Sequence, residues 1–137
     1  MRKMFSTLLV LIVVASFLLA ACSKKSDGPV VGNPENGKKL YNSATLGKNS
    51  AEGCVTCHNY DESKGLADKA PYTAGTGTRA ESRVAGMTAE EYIRESLFTP
   101  NAYVVEDYKE GDMYQKWQED LSEQQIADLI AYLLSEK

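Results

Sequence analysis

The chain has 137 residues, which is enough for one domain and too few for a multidomain enzyme. Apolar residues make up 43% and charged residues 25%, a globular composition that excludes collagen, coiled-coil arrays and a fully disordered chain. The formal net charge of -4 also excludes nucleic acid as a partner, because binding to phosphate backbones needs a cationic face.

Residues 1–21 have the layout of an export signal peptide. Arg2 and Lys3 form a positive start, and residues 8–21 are apolar except for Ser16. The apolar run is shorter than the roughly 20 residues of a transmembrane helix, and it ends in small residues. We therefore expect these residues to be removed from the mature protein.

The signal ends in Leu19-Ala20-Ala21-Cys22, which resembles the lipobox of bacterial lipoproteins. The resemblance implies cleavage before Cys22, lipidation of its thiol and anchoring of the chain to a membrane through acyl chains. The alternative is an ordinary signal peptide cut nearby, which leaves Cys22 as a free thiol. Cleavage before Cys22 leaves 13 Lys+Arg against 19 Asp+Glu, a net charge of -6.

Residues 22–33 show neither helical nor strand periodicity and are predicted to form a flexible tether after the lipidated Cys22. Fully extended, this segment reaches about 40 Å. The folded domain is then expected to occupy residues 34–137.

Three helices, and no sheet, are predicted in the folded domain. The first begins with Asn33 as N-cap and Pro34 at the first helical position, and is expected to run about three turns before Gly47 ends it. Capping boxes at Thr88–Glu91 and Ser122–Gln125 open the other two, each followed by apolar residues at helical spacing. Three helices bury little surface, so the centre should hold something else.

The sequence Cys54-Val55-Thr56-Cys57-His58 uses the only His of the chain. In this spacing two thiols add to the vinyl groups of a c-type haem, and the adjoining imidazole reaches the iron. We therefore predict one haem c, bound covalently through Cys54 and Cys57, with His58 as an iron ligand.

Three alternatives compete for the same residues. A thioredoxin-like redox pair needs a strand before the motif and a parallel sheet around it. A zinc site needs four ligands, and Cys54, Cys57 and His58 supply three. A structural disulfide between the two cysteines leaves His58 without a role.

The other iron ligand is predicted to be Met113. One His excludes a second imidazole from the same chain, while Lys and Tyr remain alternatives to the usual Met. Met87 directly precedes the cap at Thr88, where a hydrophobic staple explains it. Met113 lies in a polar, non-helical stretch, where its alternative role is that of a gap-filling side chain.

With these features the chain resembles small bacterial class I c-type cytochromes over residues 34–137. The resemblance implies an all-α fold with three main helices and loops around one covalently bound haem, and a close crossing of the first and last helices at Gly37. The segment 88–108 is similar to cytochrome domains fused to subunit II of haem-copper oxidases, which indicates the type of partner.

The sequence departs from that family at two places. Tyr114 follows Met113 where the family commonly has Pro, and Ala70-Pro71-Tyr72-Thr73 stands where Gly-Pro-x-Leu is frequent. The carbonyl of Pro71 either accepts a hydrogen bond from His58 or belongs to a simple turn. Candidate donors to the haem propionates, which salt bridges or core packing explain equally well, are Arg79, Arg83, Tyr103 and Trp117.

The expected function is single-electron transfer between respiratory or photosynthetic complexes by a membrane-tethered monohaem cytochrome, as a shuttle or as a subunit. Such a carrier is not an enzyme and has no small-molecule substrate; its partners would be redox proteins such as a quinol-oxidising complex or a terminal oxidase. The expected location is the outer, periplasmic face of the cytoplasmic membrane, with the outer membrane as an alternative. A gas-binding or peroxide-reducing haem protein with an open iron position, and a haem-free lipoprotein, remain as alternatives.

Overall fold

A computed structural model describes residues 28–137 of the chain. The predicted signal peptide, the predicted lipidation site Cys22 and the tether up to residue 27 lie outside the described residues. Within the described part, no helix has the length and apolar character needed to cross a membrane.

The described residues form five α-helices, one small β-hairpin and two single 3-10 turns. In chain order, the elements are α1 (Pro34–Tyr41), β1 (Thr45–Leu46), β2 (Ala51–Glu52), the 3-10 turns Cys54–Thr56 and Glu62–Lys64, α2 (Thr76–Ala80), α3 (Ala89–Phe98), α4 (Trp117–Asp120) and α5 (Glu123–Ser135).

All three predicted helix starts are confirmed. The side chain of Asn33 accepts a hydrogen bond from the backbone N–H of Asn36, which caps α1. Complete capping boxes begin α3 at Thr88 and α5 at Ser122. In each box the cap side chain accepts a hydrogen bond from the backbone N–H three residues later, and the side chain of that later residue accepts one from the backbone N–H of the cap.

The predicted length of the first helix is wrong. Helix α1 ends at Tyr41 after about two turns, where the side chains of Asn42 and Ser43 donate to the carbonyl oxygens of Lys38 and Lys39. These side-chain hydrogen bonds satisfy carbonyls that a longer helix would have used.

The prediction of no sheet is also wrong. Strands β1 and β2 pair antiparallel, with Thr45 opposite Glu52 and Leu46 opposite Ala51. Gly47, which was expected to end the helix, instead begins the turn between the strands with a φ of +80°. Two-residue strands are too short to give an alternating pattern in the sequence.

The close crossing of α1 and α5 at Gly37 is confirmed. A Cβ added to Gly37 would collide with the backbone oxygen of Asp128 and lie 2.7 Å from the Cβ of Tyr132. The rings of Tyr41 and Tyr132 pack edge to face across the same crossing, with centroids 5.3 Å apart. The absence of a side chain at Gly37 therefore sets how closely the first and last helices approach.

The end of the predicted tether lies on α5. The backbone N–H of Asn33 donates to Asp128 Oδ1 at 2.7 Å, and Gln124 Nε2 donates to the carbonyl of Val31 at 2.9 Å. A Cβ on Gly32 would lie 2.9 Å from the Cβ of Ala131. Among the described residues, these contacts with the domain begin at Val31.

Candidate haem-binding site

The β-hairpin presents the Cys54–His58 motif. Gly53, between β2 and the motif, donates its N–H to the carbonyl of Ala44 at 2.9 Å, and an added Cβ would collide with the backbone oxygen of Ser43. The motif then turns at once, since His58 N donates to Cys54 O at 2.9 Å. This tight turn brings the first cysteine and the histidine to the same wall of the interior.

Cys54 and Cys57 are half-buried and are not joined to each other by a disulfide. Burial raises the pKa of the Cys54 thiol to about 11, so without a covalent partner it stays protonated near neutral pH. The described residues contain no group of three or more His, Cys, Asp or Glu side chains placed to hold a metal ion.

His58 is oriented by a backbone carbonyl. Its Nδ1–H donates to the oxygen of Pro71 at 2.9 Å, which is one of the two roles that the sequence left open for Pro71. Burial lowers the pKa of His58, more than the bond to Pro71 raises it, so the ring is neutral near pH 7. With Nδ1 used as a donor, Nε2 keeps its lone pair for a metal.

The carbonyl of Pro71 is fixed in turn by the residues that follow it. The N–H groups of Thr73 and Ala74 donate to the carbonyls of Asn59 and Tyr60, at 3.0 and 2.8 Å, which joins this segment to the residues after His58. Thr73, 1% exposed, also hydrogen-bonds through its hydroxyl to Tyr41 of α1. Burial raises the pKa of Tyr41, so its hydroxyl stays protonated.

A cavity of about 530 Å³ opens beside the motif, within the range of about 300–1,000 Å³ typical of cofactor sites. Cys54, Cys57, His58 and Met113 all line it. Two smaller cavities of about 120 Å³ each adjoin it, because His58 and Met113 line all three. One of these is enclosed largely by apolar side chains, among them Ile93, Leu97, Ala80, Leu129 and Leu133.

The structure places Met113, and not Met87, in the lining of the cavities that His58 also lines. Met113 lines each of the three cavities, whereas Met87 lines none of them. Lys69 lines two of the three, so a Lys ligand remains an alternative. Ligation by Met113 stays a prediction, supported by its place in the site.

The two arginines that sequence reasoning treated alike have different surroundings. Arg79 donates through Nη1 to the carbonyl of Ala74 at 2.6 Å and through Nη2 to that of Tyr72, so its donors hold backbone. The Nε of Arg83 is buried and has no hydrogen-bond partner among the described residues, although Arg83 lines the apolar cavity. A buried donor without an acceptor fits a cofactor that carries carboxylates.

The two aromatic candidates also differ. Trp117 is 3% exposed and lines the large cavity, whereas Tyr103 is 40% exposed and packs edge to face on Tyr92 at 5.9 Å. Sequence reasoning missed Asp120, a buried carboxylate that accepts a hydrogen bond from Tyr114 at 2.7 Å. No local signal in the sequence marks Asp120 as buried, because its partners are brought to it by the hairpin and the loop after α3.

Comparison with known families bears on the fold and the cofactor. A family model described as "Cytochrome c" matches residues 34–137, which is most of the chain. No curated protein matches the chain. The matched family carries covalently bound haem c, and the mostly helical architecture fits the class I fold of that family, so the fold and cofactor predictions are confirmed.

Proposed function

The chain belongs to the cytochrome c family, and on that basis we propose that it is a membrane-tethered carrier of single electrons between respiratory or photosynthetic complexes. The family makes it a haem electron-transfer protein. The tether, the ligand set and the partners are the proposed part.

In this proposal four side chains hold the cofactor. Cys54 and Cys57 would form two thioethers with the haem, His58 would bind the iron through Nε2 while its Nδ1 donates to Pro71, and the thioether of Met113 would be the other iron ligand. Bound haem supplies an iron centre that gains and loses one electron, with no substrate bond made or broken. A thioether ligand favours the ferrous state and so raises the reduction potential.

The remaining wall of the site keeps water from the cofactor and balances its charge. Ile93, Leu97 and Leu129 are each less than 5% exposed and line the apolar cavity. The guanidinium of Arg83, whose buried Nε has no hydrogen-bond partner among the described residues, would pair with a haem carboxylate.

The surface near the thioethers is proposed as the place where electrons enter and leave. Val55, between the two cysteines, is 39% exposed, which leaves an apolar side chain at this edge for a short-lived contact. Such redox contacts often bury less than about 1,200 Å². The mature net charge of -6 favours a partner with a cationic patch, and association should weaken as salt is added.

The proposed partners are membrane-embedded redox complexes, either one that oxidises quinol or a terminal oxidase. A diacylglycerol on Cys22 would hold the domain at the periplasmic face of the cytoplasmic membrane, with the outer membrane as the alternative. Supporting this is the signal-like sequence of residues 1–21, which is followed directly by Cys22.

The observation that carries the proposal is that the haem motif and Met113 line one cavity. The test is an optical spectrum of protein expressed with haem-attachment machinery, oxidised and then reduced. We expect the weak far-red band of sulphur-ligated ferric haem, lost in Met113→Ala and kept in the control Met87→Ala. Haem without this band, together with ready carbon monoxide binding to the reduced iron, would instead support the gas-binding or peroxide-reducing alternative.

A further inference from the structure

Met113 lies in a segment with little regular structure. Between the end of α3 and the start of α4 there is neither helix nor strand among the described residues. Before Met113, the N–H of Gly111 donates to Asn101 Oδ1 at 2.9 Å, a contact between two residues of this same segment. After it, Gln115 Nε2 donates to the carbonyl of Met113 at 2.6 Å, a contact within the segment itself. The position of Met113 therefore depends on where its neighbours attach to the rest of the domain.

Tyr114 supplies such an attachment directly after Met113. Its hydroxyl donates to Asp120 Oδ2 at 2.7 Å, and its ring packs edge to face on Trp117 with centroids 4.7 Å apart. Trp117 and Asp120 are the first and last residues of α4, and each is 3% exposed. The side chain beside Met113 is thus joined at two points to a buried helical turn.

Asp120 is itself fixed against the β-hairpin. Its carboxylate also accepts from Nδ2 of Asn49, and its backbone oxygen accepts from the N–H of Lys48 at 3.3 Å. A Cβ added to Gly47 would lie 2.9 Å from the Cβ of Asp120, so the turn packs closely on this side chain. The same hairpin leads into Cys54, and therefore the cysteine motif and the segment of Met113 share one anchor.

We propose that Tyr114 is a positioning residue, whose hydrogen bond to Asp120 keeps the sulphur of Met113 at the iron. The proposal rests on the proposed function, in which Met113 is the axial ligand. A proline after the ligand would restrict the backbone through its ring. Tyr114 has no such backbone restraint and supplies one through its side chain, with the carboxylate of Asp120 as the acceptor and Asn49 donating to the same carboxylate.

The test measures how easily the sulphur leaves the iron in the haem-loaded protein. Imidazole competes with the sulphur for ferric iron, and its binding is followed through loss of the far-red band. Tyr114→Phe keeps the ring against Trp117 and removes only the hydroxyl. We expect apparent imidazole affinity to rise about tenfold, a factor that matches the loss of one hydrogen bond to a charged group.

Matched variants separate positioning from general destabilisation. Tyr60→Phe removes a hydroxyl from a tyrosine that is 45% exposed and lines none of the three cavities, and should bind imidazole like wild type. Asp120→Asn should change imidazole affinity in the same direction as Tyr114→Phe, and the double variant should match Tyr114→Phe. In urea, the far-red band of Tyr114→Phe should be lost well before the helical circular dichroism.

The outcomes distinguish this inference from the function on which it rests. Unchanged imidazole affinity in Tyr114→Phe, with the far-red band present, overturns the role of Tyr114 alone. Loss of the band together with the circular dichroism in urea also overturns it, since that result marks a purely structural residue. A wild-type protein without the band, or a Met113→Ala variant that keeps it, overturns the ligand assignment itself.

Discussion

The Nδ1 atom of His58 lies 2.9 Å from the backbone oxygen of Pro71, thirteen residues further along the chain. This hydrogen bond fixes the orientation of the imidazole and makes Nε2 the nitrogen available to iron. A carbonyl acceptor also increases the electron donation of the ring, which favours the ferric state. With His58 as the proposed iron ligand, the strength of this bond contributes to the reduction potential.

Tyr41→Phe should weaken that orientation through Thr73. The hydroxyl of Tyr41 bonds Thr73 in a buried position, and Thr73 fixes the segment that carries the Pro71 carbonyl. We expect the free energy of unfolding to fall by about 1 kcal/mol, the usual net value of one hydrogen bond, and the reduction potential to rise. Urea unfolding and redox titration measure the two effects. A variant with wild-type values for both would show that Thr73 holds the segment without Tyr41.

The parts of the structure that the sequence predicts are those set by short-range chemistry. The capping boxes at Thr88 and Ser122 act within three residues, and the haem motif from Cys54 to His58 spans five positions. In each case the chemistry needs fixed residue types at fixed spacing, so the motif can be recognised from the sequence alone.

The parts that the sequence does not predict depend on contacts between distant segments. Helices α2 and α4 have five and four residues, too few for a periodic pattern. The sequence does not distinguish the roles of Arg79 and Arg83. Only the structure shows that Arg79 donates to the carbonyls of Tyr72 and Ala74. The burial of Asp120 likewise follows from the hairpin turn that covers it.

Gly37→Ala should separate the first and last helices. The added Cβ would meet the backbone oxygen of Asp128, which moves only if α5 moves. We expect a loss of about 3 kcal/mol in the free energy of unfolding, at the upper end for overpacking, measured by urea denaturation. Gly28→Ala is the matched control, because nothing lies within 4 Å of its added Cβ, and its effect should stay within about 0.5 kcal/mol. Equal stabilities for the two variants would contradict the close crossing.

Glu91→Gln should remove part of the acid sensitivity of the domain. The backbone N–H and hydroxyl of Thr88 both donate to Glu91 at 2.8 Å and lower its pKa below the ordinary 4.5. The stabilisation is present above that ordinary value and is lost as pH falls through the lowered pKa. The wild-type protein should therefore exceed the variant in unfolding free energy at neutral pH, with the difference vanishing in acid.

The second capping box allows the reverse experiment on the same coupling between stability and pH. Gln125 occupies in α5 the position that Glu91 occupies in α3, and a glutamine does not titrate. Gln125→Glu should add a stabilisation that disappears on acidification. Urea unfolding at neutral and acidic pH compares the two variants, and parallel pH profiles for wild type and both variants would refute the assignment to the boxes.

Arg83→Gln should act on the cofactor, and Arg79→Gln on the fold. The Nε of Arg83 is buried without a partner, while Arg79 holds the carbonyls of Tyr72 and Ala74. Loss of a positive charge beside the haem favours ferric iron, so the reduction potential of Arg83→Gln should fall. Its unpaired haem carboxyl should also have a higher pKa, which moves the pH dependence of the potential toward neutral pH.

Arg79→Gln is the matched control, since it removes the same charge four residues earlier. It should lower the free energy of unfolding, because two partly buried carbonyls lose their donor, and change the potential less than Arg83→Gln does. Redox titration across pH and urea unfolding separate the two effects. A larger shift of potential in Arg79→Gln would assign the haem carboxylate to Arg79, and the unpartnered Nε of Arg83 would then have no part in binding it.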